Sequence, residues 1–208
     1  MLGGAGVVHR EDPKPTLDLA QLAGHAEGII ALTGCLASRS SQLLLEDRHD
    51  EAHGFIDALT QVFGPEDVYF EIQHNGLPQQ EQVNAGIERI ARATGGTLVA
   101  TGDVHYLRQE DYEAHHALLC VQTGSCVVPQ SQRTMFSTNA YYLASSEEMT
   151  QSFAATPGAV AATLEIAERC DVQLELGGQL IPRFLPEGED ERGYLRERVL
   201  RGLATRYG

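Results

Sequence analysis

The stretch that decides the fold runs from residue 68 to residue 101 and reads VYFEIQHNGLPQQEQVNAGIERIARATGGTLVAT. Val68–Ile72 is rich in aromatic and β-branched residues and predicts a strand. A helix is predicted from Pro78, which suits a first turn, to Thr94, where a double glycine ends it. Thr97–Thr101 predicts another strand. Short apolar strands joined through a helix are typical of a parallel sheet, so the sequence predicts an α/β fold.

The segments on both sides continue this alternation. Ile29–Leu32 is an apolar run bounded by glycines and predicts a strand that is buried on both faces. Apolar residues at helical spacing between Gln42 and Phe63 predict two helices, separated by the charged stretch Glu46–Glu51. The other predicted elements are a short helix capped by Thr16, a helix from Asp111 to about Gln122, a strand at Tyr141–Leu143, a helix from a capping box at Ser145 to near Phe153, a helix from Pro157 to near Cys170, and a terminal helix over Tyr194–Tyr207.

Length and composition limit the function. The chain has 208 residues, of which 29 are acidic and 15 basic, giving a formal net charge of -14. This acidic balance argues against binding of nucleic acid by the segment itself, because phosphate binding depends on clustered Lys and Arg. No apolar run is long enough to span a membrane and the N-terminus lacks a signal core, so we expect a cytoplasmic protein with no membrane partner. The four cysteines form no CxxC pair and predict no disulfide framework or zinc finger.

Composition also suggests where the chain divides. Residues 1–15 combine glycines, prolines and mixed charge without a period, and we interpret them as an irregular segment. Residues 16–175 carry the alternating strands and helices. From residue 176 the chain becomes rich in glycine and proline before the terminal helix, which predicts a boundary and a separate C-terminal part over 176–208.

Chemistry is expected at the carboxyl ends of the parallel strands. The strand over Thr97–Thr101 leads into Asp103 and His105, and alternate residues of an extended chain point to the same side. The predicted strand at Ile29–Leu32 ends near Cys35. A carboxylate, an imidazole and a thiol at neighbouring strand ends would suit Zn²⁺ or Mn²⁺ in a site that hydrolyses phosphoesters. The alternatives are that Asp103 only caps a turn and that Cys35 is a small buried hydrophobe.

The remaining polar candidates have simpler interpretations. They are Cys120 and Cys170, predicted to pack in the core from apolar helix faces; Cys126, a loop thiol; His115 and His116, structural or solvated; His49 and His53, which could share a metal at helical spacing but lie among exposed charges; and Glu71, a single strand carboxylate that specifies no function.

Five runs in one order carry a family resemblance: EGIIALTGC from residue 27, VYFEIQHNGLP from residue 68, LVATGDVHYLRQEDYEAHHALLCVQTG from residue 98, YYLASSEEM from residue 141, and ATLEIAERC with the sequence that follows it from residue 162. Together they closely resemble the bacterial replicative DNA polymerase III alpha subunits. The likeness covers nearly everything after Pro15, and an ordered series of matches is far more specific than a single motif.

The resemblance implies a fold and a set of metal ligands. Residues 16–175 match the C-terminal part of the PHP (polymerase and histidinol phosphatase) domain, which in this family is a distorted seven-stranded β/α barrel. Residues 176–208 match a linker and the start of the polymerase palm. The positions that match the metal ligands of the family are Cys35, Asp103 and His105. The sequence contains no HxH motif, which supplies earlier ligands in the family, so we expect a fragment with an incomplete barrel.

The same resemblance implies a function for the longer protein. That protein extends DNA from deoxynucleoside triphosphates with Mg²⁺ held by palm aspartates, and no such aspartate is assigned here; neither catalytic nor cofactor-binding residues are predicted in this segment. The implied roles of the segment are a Zn²⁺ or Mn²⁺ site with 3′ to 5′ exonuclease activity, or structural support that includes docking of a proofreading subunit and other replicase subunits. The alternatives are a freestanding PHP phosphoesterase and a non-catalytic scaffold.

Overall fold

The computed structural model describes residues 17–133, 136–174 and 190–208. The chain divides into two compact units, Met1–Cys170 and Asp171–Gly208. The irregular segment over 1–15, the proposed cap Thr16 and most of the proposed linker after residue 175 lie outside the described residues. The division into domains at residues 15 and 175 stays a prediction.

A parallel sheet lies at the centre of the first unit. Its strands are β1 (Ala31–Leu32), β2 (Val68–Gln73) and β3 (Thr97–Thr101), in the order β1-β2-β3. The helices around it are α1 (Leu19–Ala23), α2 (Arg39–Leu45), α3 (His49–Phe63), α4 (Pro78–Thr94), α5 (Tyr112–Thr123), α6 (Ser146–Ser152) and α7 (Pro157–Arg169), with short 3-10 turns at Gln109–Asp111 and Gln130–Gln132. Helices combined with a parallel sheet confirm the predicted α/β class.

The β2, α4 and β3 unit follows the prediction closely. Helix α4 begins with Pro78 in its first turn and ends where Gly95 adopts a left-handed conformation with φ 74°. This conformation carries little penalty for a residue without Cβ, which explains why the helix stops there. Every residue of β2 is buried, as expected for a central strand of a parallel sheet.

The core lies on both faces of the sheet. Val68, Phe70 and Ile72 of β2 pack into a large apolar cluster with α2, α3 and α4. Tyr69 of the same strand points the other way and packs with Val99 and with Ala162 of α7. Alternation of side chains along β2 therefore fixes helices on both sides of the strand.

Two predicted strands differ from the structure. β1 has only two residues, and the Leu32 side chain is 37% exposed, so the prediction of a strand buried on both faces is wrong. In the described sheet β1 is an edge strand that pairs only with β2, which leaves one side without a neighbour. The strand predicted over Tyr141–Leu143 is reduced to a single parallel bridge between Tyr142 and Tyr106.

Of the two cysteines predicted to lie in the core, one is buried and the other is exposed. Cys120 is buried on α5, as predicted, whereas Cys170 is exposed, so its prediction as a core residue is wrong. Cys170 is the C-cap of α7 and lies just beyond the apolar face that predicted its burial. Cys126 is an exposed thiol, as expected for a loop residue.

Helix ends are fixed by the predicted local chemistry. The side chain of Ser145 accepts a hydrogen bond from the Glu148 backbone N–H, and Glu148 accepts one from the Ser145 N–H, which confirms the capping box. The cap of α1 differs from the prediction: Asp18, and not Thr16, is its N-cap, and the Asp18 side chain accepts a hydrogen bond from the Gln21 N–H.

The second unit contains helix α8 (Glu191–Tyr207), capped by Asp190. It begins three residues before the predicted Tyr194. Within the described parts of the chain, no helix is long and apolar enough to cross a membrane.

Candidate metal centre

Cys35 lies in a tight turn that leads from β1 to α2. Gly34 before it has φ 86°, and a Cβ there would lie 3.0 Å from the Cβ of Ser38, so a side chain at this position would be both strained and crowded. The Cys35 carbonyl accepts a hydrogen bond from the Ser38 N–H at 2.9 Å, and Ser38 then caps α2. The turn leaves the Cys35 thiol partly exposed at the carboxyl end of β1.

Asp103 and His105 lie next to each other just after β3. The Oδ1 atom of Asp103 is 3.8 Å from Nδ1 of His105. His105 Nδ1 is also 2.8 Å from the backbone carbonyl of Asp103. Because a carbonyl can only accept, Nδ1 carries the proton in the neutral ring and Nε2 keeps its lone pair for a metal. The His105 N–H donates to the Tyr141 carbonyl at 2.8 Å, which fixes the backbone of the pair.

Tyr141 connects this pair electrostatically to Cys35. Burial raises the pKa of the Tyr141 phenol to about 12, with further contributions from the negative charge of Asp103 and, more weakly, from Cys35. A phenolate would be disfavoured near other anions.

The three predicted ligands are not brought into one coordination shell. Over residues 17–133, 136–174 and 190–208, no group of three His, Cys, Asp or Glu residues is close enough to hold a metal ion. Asp103 and His105 form a neighbouring pair, and Cys35 lies at the same edge of the sheet. The donor types fit Zn²⁺, which accepts carboxylate, imidazole and thiolate ligands. As described, the edge offers one pair of donors and a third nearby.

An aromatic wall surrounds the His105 ring. Its centroid is 4.3 Å from the ring of Phe136, 5.6 Å from Tyr141 and 5.8 Å from His115. The Nδ1 atom of His115 is buried and has no hydrogen-bond partner in the described structure. Burial lowers the pKa of His115, and the nearby His105 and His116 lower it further. Sequence reasoning treated His115 as structural or solvated and missed its position beside His105.

Three other histidines of the described chain have local partners. His49 Nδ1 lies 2.7 Å from a guanidinium nitrogen of Arg89, and His53 lies 3.5 Å from the carboxylate of Asp57. His116 is buried and binds the Val128 N–H through Nε2 at 3.3 Å. No metal cluster forms at the His49 and His53 pair within the described ranges.

Glu71 is the residue near the candidate site whose contacts the sequence revealed least. It lies in β2, is 9% exposed, and accepts a hydrogen bond from the Gly34 N–H at 2.9 Å. Its other oxygen accepts from the hydroxyl of Thr101 and from the side-chain amide of Gln73. The carboxylate thus lies between the two strand ends that carry Cys35 and Asp103. Two of its three donors, Gly34 and Thr101, are far away in sequence, and no local pattern identifies them.

Comparison with known proteins shows which family the chain resembles. A PHP domain model matches residues 5–75. The DNA polymerase III subunit alpha of Thermus aquaticus is 40% identical over 204 residues, covering 93% of this chain and 16% of that protein. The protein of the same name from Treponema pallidum is 39% identical over 93% of the chain and 17% of its own length. An error-prone DNA polymerase of Symbiobacterium thermophilum is 34% identical over 94% of the chain and 18% of its length.

The chain therefore spans about a sixth of the length of the first two relatives. The matches extend over almost all of it, including the strand ends that carry Cys35, Asp103 and His105. They confirm the resemblance found in the sequence: this chain belongs with the DNA polymerase III alpha subunits as a segment that includes part of a PHP domain.

Proposed function

We propose that the chain contributes part of the PHP domain to a replicative DNA polymerase alpha subunit and that its sheet edge supplies three ligands, Cys35, Asp103 and His105, to a divalent metal. The observation that carries the proposal is the Asp103 and His105 pair, 3.8 Å apart directly after β3. Cys35 follows β1 at the carboxyl edge of the same described parallel sheet, with β2 between β1 and β3. Strand carboxyl ends are where α/β proteins bind ligands.

The three parallel strands are proposed to belong to a distorted seven-stranded β/α barrel of the PHP type. Residues 16–175 would form its C-terminal portion, and residues 176–208 the linker and the start of the palm. This proposal is supported by the parallel order β1-β2-β3 and by the PHP match over residues 5–75.

Neighbouring residues fix the tautomer and the position of the His105 ring. The carbonyl of Asp103 fixes the tautomer of His105 and keeps its Nε2 free, while Phe136 and Tyr141 hold the ring. A bound Zn²⁺ or Mn²⁺ would supply an activated water and neutralise phosphate charge. The resulting activity would be 3′ to 5′ exonuclease cleavage, with structural support of the polymerase as the role that remains without metal.

DNA and deoxynucleoside triphosphates are proposed to bind elsewhere in the alpha subunit, with Mg²⁺ at its polymerase site. The net charge of -14 supports this separation, because an acidic surface repels phosphate. A proofreading exonuclease subunit and other replicase subunits are the proposed protein partners, and the cytoplasm is the proposed location. A freestanding phosphoesterase is less well supported, because the relatives match beyond the PHP region.

The test is metal analysis after dialysis of the full chain against Zn²⁺ or Mn²⁺. We expect bound metal that falls several-fold in Asp103→Asn and stays unchanged in the control Asp57→Asn, whose side chain lies on α3 near His53. Equal metal content in wild type and Asp103→Asn would contradict the ligand assignment. Absence of metal from the wild type would favour the scaffold role.

A further inference from the structure

We infer that Glu71 is a positioning residue that locks together the two strand ends carrying the proposed metal ligands. This inference rests on the proposed function, since it gives Glu71 a role toward the same site. Glu71 is not a ligand here: both of its oxygens are occupied by hydrogen bonds within the protein. Its Oε2 accepts the Gly34 N–H at 2.9 Å, and Gly34 directly precedes Cys35. Its Oε1 accepts the Thr101 hydroxyl, and Thr101 is two residues before Asp103.

The surroundings of Glu71 require a carboxylate. All three groups that face its oxygens are donors, namely the Gly34 N–H, the Thr101 O–H and the Gln73 amide, which lies 3.1 Å away. An ionised carboxylate has only acceptor sites and can satisfy all three. A glutamine of the same shape has one acceptor oxygen and an NH₂ group. With its oxygen on the side of Thr101 and Gln73 it keeps two of the three hydrogen bonds, and its NH₂ then faces the Gly34 N–H, donor against donor. The link to the Cys35 turn would then be lost.

A second set of hydrogen bonds holds Glu71 itself in place. Its backbone N–H donates to the Thr33 hydroxyl at 2.8 Å, and the Thr33 carbonyl accepts from the Ser40 hydroxyl at 3.2 Å. Gln73 bridges the remaining gap, because its amide nitrogen contacts both Glu71 and Thr101, at 3.1 Å each. Thr33, Ser40, Glu71 and Gln73 are all buried. The Gln73 side-chain oxygen has no hydrogen-bond partner in the described structure, whereas the other contacts named here are made. Buried polar groups that are paired in this way hold a geometry firmly.

The hydrogen bonds of Glu71 hold two strand ends that the sheet alone fixes only weakly. β1 is short and exposed, so its two ladder positions alone fix the Cys35 turn weakly. β3 ends at Thr101, and the residues that follow have no sheet partner before the Tyr106 bridge. Glu71 lies in the fully buried central strand between them and ties both to it. Partners that orient metal ligands typically change metal affinity about 10–100-fold when they are removed.

The experiment compares Glu71→Gln with wild type in the full chain by two readouts. The first, without metal, is hydrogen exchange of the Gly34 amide, which we expect to accelerate about 10-fold or more while core amides such as Leu43 stay protected. The second is titration with Co²⁺, followed by the near-ultraviolet band that a thiolate ligand produces. We expect affinity to fall about 10-fold or more with the band position unchanged, because the ligands are the same.

Two further variants sharpen the result. Thr101→Val removes the hydroxyl that donates to Glu71 and accepts from Gln73 on the β3 side but leaves the Gly34 contact. Co²⁺ affinity should therefore fall while Gly34 exchange stays as in wild type. This variant also provides the test if Glu71→Gln does not fold. Glu165→Gln removes another carboxylate that binds a β2 side chain, that of Tyr69, and should leave Co²⁺ affinity unchanged.

The outcomes distinguish the proposed metal site from the positioning role of Glu71. Absence of the thiolate band in the wild type would refute the proposed metal site, and the role of Glu71 with it. Co²⁺ binding by the wild type with equal affinity in Glu71→Gln and Thr101→Val would refute the positioning role alone. Loss of affinity in Glu71→Gln without faster Gly34 exchange would also overturn it, because the loss would then not pass through the Gly34 contact.

Discussion

The hydroxyl of Tyr69 donates a hydrogen bond to the carboxylate of Glu165 at 2.6 Å, joining the buried strand β2 to the helix α7 that covers it. Arg169, one turn further along α7, donates to the same hydroxyl at 2.9 Å and also pairs with Asp67. A single buried phenol therefore connects strand and helix at two points. Burial and the Glu165 carboxylate together raise the pKa of Tyr69.

Removing that hydroxyl should loosen α7 from the sheet. Tyr69→Phe keeps the ring in the core but loses both hydrogen bonds, and we expect the free energy of unfolding to fall by about 1–2 kcal/mol. Urea denaturation measures this change. The control is Tyr142→Phe, whose hydroxyl binds Glu148 at the exposed surface and should cost less. An equal loss in both variants would contradict the importance of the Tyr69 contact.

The ion pair between Glu113 and Arg133 should make stability depend on pH. Arg133 is buried, lies over the Tyr112 ring and donates to Glu113 at 2.6 Å, and this contact lowers the pKa of the carboxyl below its usual 4.5. The unfolded chain then binds a proton more readily than the folded one, so the stabilisation is present above pH 4.5 and is lost as pH falls through the lowered pKa.

Glu113→Gln measures this contribution directly. The urea midpoint of the variant should lie below that of wild type at pH 7, and the difference should shrink when both are measured near pH 3. A difference that stays constant across this range would show that the pair does not contribute through its charge.

Gly96 should tolerate no side chain. A Cβ at this position would overlap the buried ring of Phe70 in β2. Gly96→Ala therefore forces the ring or the start of β3 to move, and we expect a loss of about 1–3 kcal/mol. Gly54→Ala is the matched control, because nothing lies within 4 Å of its Cβ position in the middle of α3. That variant should gain up to about 1 kcal/mol. Similar thermal unfolding of the two variants would contradict the packing at Gly96.

The purified chain is expected to show no template-dependent nucleotide incorporation in a primer-extension assay. This expectation rests on the proposed function, in which the Mg²⁺ site for two-metal phosphoryl transfer lies in another part of the alpha subunit. The assay needs a full-length alpha subunit as a positive control. Incorporation by this chain, retained after further purification, would contradict the placement of the polymerase site elsewhere.

Local patterns predicted much of the fold and only part of the site. The bounds of α4 and β3 follow from Pro78, the double glycine and the apolar spacing, all of which act within a few residues. The exposure of Leu32 could not be predicted in this way, because it depends on which strands lie beside β1. Cys170 was misassigned because helical spacing continues in the sequence after the helix has ended.

The candidate site was also only partly predictable, because some of its contacts join residues that are distant in sequence. The spacing of Asp103 and His105 predicted a neighbouring pair, and the structure confirms that they lie together. The sequence assigns no function to Glu71, a single strand carboxylate, because two of its donors, Gly34 and Thr101, are 37 and 30 residues away. The contact between His115 and His105 was not predicted for a related reason: folding of the chain after β3 brings the two rings together.

The most direct test of the account is X-ray absorption at the zinc edge of the Zn²⁺-loaded chain. If Cys35, Asp103 and His105 share an ion, the spectrum should contain one sulfur at about 2.3 Å together with nitrogen and oxygen near 2.0–2.1 Å. The sulfur contribution should disappear in Cys35→Ser and persist in a variant with Cys126 and Cys170 both changed to Ser, since these two thiols are exposed and distinct from the site. Zinc bound without sulfur, or with a sulfur signal that survives Cys35→Ser, would contradict the proposed metal centre.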